Sequence, residues 1–372
     1  MRTPICEELG IDFPIFAFSH CRDVVAAVSR AGGFGVLGAL AFTPAELEVE
    51  LNWIDDHCDG KPYGVDLVMP ANYVGAGGKQ PSAEDLAAMI PEGHKQFVES
   101  VLQEYNVPPI PAEVEQGRAI AAGLGVDDQA TGAVDVALKH STRLLVNALG
   151  PPPKDVVDKA HDHGVKVAAL VGSKVHAQKQ VDQGVDIIVA QGTEAGGHTG
   201  EISTMVLVPE IVDQVGNDVP VLAAGGIGTG RQMAAAFALG AQGVWTGSIW
   251  LTVAEADTGK EALENLLEAS SRDTVRSRAM TGKPARQLRT AWTEAWEREG
   301  APPTLPMPLQ GLLWGEMARR VSRAHTKELS GFPVGQIVGR MDRVRPTAEV
   351  MMDMVEEWIA TTEKLQQLIQ QD

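Results

Sequence analysis

The sequence predicts an α/β protein built on one (β/α)8 barrel, a TIM barrel, with a long insertion after the third strand and a helical lobe after the eighth. Eight short apolar runs carry this reading: residues 13–19, 34–40, 62–70, 142–150, 165–172, 185–192, 219–226 and 243–251. They are nearly continuously apolar instead of alternating, as parallel strands covered on both faces are. Between several of them lie helical stretches ending in glycine, such as "DVVAAVSRAG" and "TGRQMAAAFALGAQG", with the left-handed stop common after helices. A doubly wound open sheet permits the same local pattern. An eighth strand followed by a phosphate-type glycine pair favours closure.

Taken in order, residues 1–253 form the barrel. Its third unit is interrupted at 71–141 by "ANYVGAGGKQPS", a helix expected over 83–105, and the Pro-rich link "VPPIPAE". Residues 254–345 form a lobe of helices over the barrel mouth, with the loop "ELSGFPVGQIVGR" near its end. A terminal amphipathic helix within 346–372 packs back on the barrel.

Composition bounds the function. A net charge of −18 argues against nucleic acid, because neutralising phosphates needs a cationic surface. It leaves room for an anionic small molecule, which needs only a local cluster of cations or N–H groups. No apolar run is long enough to span a membrane. The N-terminus shows neither a signal core nor transit character. The three cysteines, Cys6, Cys21 and Cys58, form no CxxC pair. That speaks against a disulfide framework or thiolate zinc site and for a cytoplasmic protein.

Chemistry is expected after the strand C-termini, where barrels build active sites. "AAGGIGTG" follows the seventh run and "WTGSIW" ends the eighth, so Gly225, Gly226, Gly247 and Ser248 are candidates for binding a phosphate. Alternatively these glycines serve tight turns alone. "AQGTEAGGHTG" (190–200) follows the sixth run and centres on His198. Imidazole is the usual general acid or base near neutral pH, and flanking glycines let ligands close in around it. A turn histidine bonded locally is the alternative. Glu194 either orients this loop or the imidazole, or is a helix-start carboxylate. No second ligand stands at metal spacing, so no metal is expected.

Two further groups stand out. "AFSHC" ends the first run, placing Ser19, His20 and Cys21 either at the mouth or in a plain turn. "RSRAMTGKPARQLR" concentrates Arg276, Arg278, Lys283, Arg286 and Arg289 in an acidic chain. It reads as a contact for an anionic substrate or as ordinary solvated charge. His57, His94, His140, His176 and His325 read as surface residues.

"AQGTEAGGHTG", "VLAAGGIGTGRQMAAAFALGA", "GVWTGSIWLT" and "SRAMTGKPAR", in this order, resemble the nitronate monooxygenase (2-nitropropane dioxygenase) family of FMN-dependent barrels. The resemblance implies FMN at the barrel mouth, its phosphate at Gly225, Gly226, Gly247 and Ser248. It implies Gln191, Gly192, Gly196 and Gly197 near the flavin, and His198 as the catalytic histidine. The chain departs from the family at "AFSHC", where Ala17, Phe18 and Ser19 stand in place of an Ala-Pro-Met pattern, and at Asp66, where an asparagine is common. Both places touch the flavin in the family. The wider pattern, including "FSHCRDVVAAVS", "ALGPPP" and "DTVRSRAMTGKPARQLRTAW", is similar to flavin enzymes of steroid ring degradation that act on CoA thioesters. That implies a CoA thioester as small-molecule substrate, with His20, Lys283, Arg286 and Arg289 as candidate contacts. The alternatives are a nitronate monooxygenase using O2 and an NAD(P)H-dependent enoyl-thioester or quinone reductase, so NAD(P)H or O2 are the candidate redox partners, and a homodimer the candidate assembly.

Overall fold

The computed structural model describes residues 2–67, 82–111 and 127–369. Eight parallel strands close into a barrel: β1 (Ile15–Ser19), β2 (Phe34–Gly38), β3 (Tyr63–Asp66), β4 (Thr142–Asn147), β5 (Lys166–Val171), β6 (Ile187–Gln191), β8 (Val221–Ala224) and β9 (Gly243–Thr246). A two-residue strand, β7 (Gly197–His198), lies outside the barrel order. Closure is direct: Phe16 and Ala17 of β1 are in register with Trp245 and Thr246 of β9. The eighth run stops as a strand at Thr246 and continues as a short 3-10 helix, Ser248–Thr252.

Alternation along each strand sorts the barrel residues into two layers. Ile15, Ala17, Val65, Ile188, Ala190, Ala223 and Val244 face the surrounding helices. Phe16, Phe34, Val146, Val189, Ala224 and Trp245 fill the interior, which the N-terminal helix Pro4–Leu9 closes from below through Ile5 and Leu9. Phe16 packs on Phe34 at 5.2 Å and on Trp245 at 6.3 Å between ring centroids. These rings make a solid floor beneath the mouth.

The insertion does not stand apart from the lobe. Its expected single helix is two, Ala83–Ala88 and Glu92–Glu104, because Pro91 lacks an N–H and can only open a new helix. Val98, Val101 and Leu102 share one apolar core with Trp292, Leu313 and Met317 of the lobe. Arg320, buried beside this core, pairs with Glu99. "ANYVGAGGKQ" and the end of "VPPIPAE" lie outside the described residues. The lobe also holds a hairpin that the helical reading omitted: β10 (Thr274–Ser277) and β11 (Ala285–Leu288), with β7 joined to β11. The terminal helix Thr347–Ile369 lies on the helix Gly230–Ala238. Gly230 permits that approach, since a Cβ there would come within 2.2 Å of the Trp358 nitrogen.

Two histidines read as surface residues have enclosed side chains. His94 Nε2 donates to the Pro303 carbonyl, and His140 is enclosed between Glu48 and Asp55. His94 ties its helix to the loop at Pro303 and His140 reaches the helix Pro44–His57, which spacing alone does not reveal.

Candidate active site

His198 is carried on β7, and β7 exists because β11 pairs with it: Ala285 faces His198 and Arg286 faces Gly197. Its Nε2 lies 2.8 Å from the Thr281 hydroxyl, in the turn between β10 and β11. Burial, with the Lys283 ammonium adding to it, lowers the imidazole pKa to about 4. At neutral pH His198 is therefore an uncharged base. Lys283 is half-buried, and desolvation lowers its own pKa.

The "AQGTEAGGHTG" glycines divide into two kinds. A Cβ at Gly192 would lie 2.1 Å from Thr204 Oγ1, and one at Gly196 would lie 2.8 Å from the Val334 and Gly335 backbone. Close chain packing accounts for both, so they are not simply space for a flavin. A Cβ at Gly197 meets nothing within 4 Å. Glu194 proves to be a helix-start carboxylate: it accepts from Thr204 N at 2.9 Å and Thr204 Oγ1 at 2.9 Å, where the helix Thr204–Val215 begins.

The phosphate-type loops sit side by side on β8 and β9. Gly225 and Gly226 have φ of +107° and +70°, so this turn excludes side chains. A cavity of about 390 Å³ abuts it, lined by Gly225, Gly226, Gln232, Ser271, Gln336 and Arg340. The helix start that follows is already taken: Gly230 N–H donates to Glu357 and Gln232 N–H to Thr229. The short helix Ser248–Thr252 instead begins at Gly247 with no side-chain cap, and Gly247 faces open space. Ser248 Oγ accepts from Gly335 N–H at 2.8 Å, and Gln336 N–H donates to the Glu194 carbonyl at 2.9 Å. The strap around Gly335 thus joins the loops after β6 and β9, a role the sequence did not signal beyond its glycine.

At the mouth, alternation points Phe18, Asp66, Leu170 and Gln191 inward. Phe18 stacks over Trp245 and meets His20 edge-on. His20 Nδ1 donates to the Gly38 carbonyl at 2.9 Å, which fixes the neutral tautomer. Asp66 is 2% exposed, and its Oδ1 has no hydrogen-bond partner among the described residues. Desolvation raises its pKa to about 8. Ala17 faces the outer helices, and Ser19 Oγ caps Cys21 N–H, so neither side chain points into the mouth.

The cationic run is not one surface. Arg286 is 9% exposed; its Nε donates to Thr193 O at 2.8 Å and its Nη1 to Thr274. Arg276 likewise reaches back to Thr199 O. Arg289 is exposed beyond the far end of β11, beside Asp273 and four residues from the one that faces His198. Lys283 is the member of this run that stands beside His198.

The nitronate monooxygenase family model matches residues 5–357. The chain belongs to the nitronate monooxygenase family. It is an FMN-dependent oxidoreductase. It is 54% identical, over the full length of both chains, to a Mycobacterium tuberculosis protein described as a monooxygenase, Rv1533. The structure of FabK from Thermotoga maritima matches 99% of both chains at 29% identity and a TM-score of 0.74. That of a nitroalkane oxidase from Streptomyces ansochromogenes covers 96% of this chain and 99% of its own at 23% identity and a TM-score of 0.79, which speaks for the fold. The site fits FMN: an aromatic floor, an unpartnered polar group at Asp66, and open backbone at Gly247 suit a flat polar ring with a phosphate tail. No described helix is long and apolar enough to cross a membrane.

Proposed function

We propose that this enzyme takes a small delocalised carbon anion, or its carbon acid, between His198 and Lys283, and that an alkyl nitronate is the member of that class that suits the site best. One observation carries the reading: a neutral imidazole, low in basicity, stands beside a half-buried ammonium. The imidazole can receive or return a proton at the substrate carbon, while the ammonium favours negative charge on nitro or enolate oxygens. A weak base suits a substrate that arrives already ionised, as a nitronate does, better than it suits an unactivated C–H. Bound FMN supplies the electron acceptor, with O2 the terminal oxidant in this reading. Burial keeps water from the imidazole, and Thr281 orients it.

A second reading, a flavin dehydrogenase or reductase acting near the α-carbon of a steroid-derived CoA thioester, is supported by the run "DTVRSRAMTGKPARQLRTAW" and by the exposed Arg278 and Arg289. In it NAD(P)H is the candidate partner for reduction. Anaerobic mixing of the FMN-loaded enzyme separates these readings. Propionate 3-nitronate bleaches the flavin if the first holds. Bleaching by a CoA thioester, or by NADH or NADPH, with none by the nitronate rejects it in favour of the second.

A further inference from the structure

We propose that Asp66 keeps its proton and serves as a neutral hydrogen-bond donor to the ring system of the bound flavin, so that ionising this one carboxyl weakens flavin binding and lowers the reduction potential. The proposal rests on the FMN-dependent reading of the site. Asp66 ends β3 with its side chain turned into the barrel mouth, in register with Gly38 on one side and Val146 on the other. Neither neighbour offers a side-chain donor or acceptor. The His20 imidazole stands over Gly38, but its Nδ1 is committed to the Gly38 carbonyl. Across the mouth the inward residues are Leu170 and Gln191, and no lysine or arginine is among these inward mouth residues. On the lobe side the titratable groups are His198, itself neutral, and Lys283.

A carboxylate stripped of water and given no countercharge is costly, whereas the neutral acid is not. Burial accordingly carries the Asp66 pKa up to about 8. A neutral acid, however, brings an O–H that also needs a partner, and no described residue bonds to the buried Oδ1. The molecule in the mouth is then the acceptor. An isoalloxazine ring presents carbonyl oxygens and imine nitrogens along its polar edge, all able to accept. A donor there supports the electron-rich reduced ring; a carboxylate at the same place repels it.

FMN affinity and midpoint potential, measured from about pH 6 to about pH 9.5 on wild type, Asp66→Asn and Asp66→Ala, test this. Wild-type affinity is expected to fall about tenfold across that range, the effect of one unit of differential proton affinity. Its potential should drop more steeply with pH than that of Asp66→Asn, which keeps a donor and cannot ionise. Asp66→Ala should bind FMN more weakly already at pH 6. Parallel wild-type and Asp66→Asn curves overturn the proposal and leave the FMN reading intact. Failure of the wild type to bind FMN at any pH overturns that reading instead. Should a variant not fold, the infrared band of the protonated carboxyl in wild type serves: it must shift when FMN binds, and an unmoved band overturns the proposal.

Discussion

The Nε2 atom of His198 lies 2.8 Å from the hydroxyl of Thr281, 83 positions further along the chain. A two-residue strand holding one side chain against the turn of a distant hairpin is a demanding arrangement, and Thr281 is what fixes the ring. Replacing Thr281 by Val should slow flavin reduction by substrate about 10- to 100-fold, and Thr281→Ser should restore most of it. His198→Asn should cost about 10²- to 10⁴-fold while the protein keeps its flavin. Stopped-flow absorbance of the flavin reads both; full activity in His198→Asn would falsify a proton-handling role.

Two titratable groups at the mouth are pushed in opposite directions. His198 falls to about 4 in the folded chain from an ordinary 6.5, so the stability it contributes is present above pH 6.5 and drains away as pH falls toward 4. Asp66 rises to about 8 from 3.8, so its contribution is intact below pH 3.8 and is lost as pH climbs toward 8. Asp66→Asn, having no proton to lose, should gain on the order of a few kcal/mol relative to wild type at pH 8, and nothing at pH 4. Urea unfolding at the two pH values decides it, and an equal difference at both would show that Asp66 does not titrate there.

The glycines give a contrasting pair. Gly192→Ala forces a Cβ to within 2.1 Å of Thr204 Oγ1 and 2.5 Å of Thr204 N, and should destabilise the fold by about 1–3 kcal/mol or more. Gly247→Ala places its methyl in open space, with no atom within 4 Å, at a negative φ of −132°. Its melting temperature should be unchanged while FMN binds more weakly. Thermal melts with and without FMN distinguish the two, and similar behaviour of both variants would mean the open space at Gly247 holds no ligand.

Arg286 and Arg289, neighbours in the same basic run, should behave differently. Arg286→Ala removes a buried guanidinium from Thr193 O and Thr274, and should lower stability by about 1–3 kcal/mol. Arg289→Ala should leave stability within about 0.5 kcal/mol of wild type. If the CoA thioester reading holds, Arg289→Ala instead raises the KM for the thioester and leaves kcat alone.

Much of the barrel was legible because its signals are local. Apolar strand-length runs and glycine stops need only the chain itself, and they located all eight strands and the loops that carry Gly225, Gly247 and His198. Boundaries were less legible where one residue redirects the chain, as Pro91 does between the two helices of the insertion. The β10–β11 hairpin was missed because its strands, TVRS and ARQL, carry polar residues on both faces, so no apolar run marks them.

By itself the sequence pointed to the α/β barrel, the family and the FMN dependence, and it singled out the loop around His198 as a candidate. Only the tertiary structure decided which charges act there. Arg286 looked like a ligand contact and is a buried tie; Asp66 looked like a mere departure from a family pattern and is an isolated acid; His198 looked like an ordinary imidazole and is held neutral. The reason is physical. Strand and helix patterns depend on neighbours a few residues away, whereas desolvation and hydrogen bonding depend on what the fold brings from anywhere in the chain, as Thr281 comes to His198.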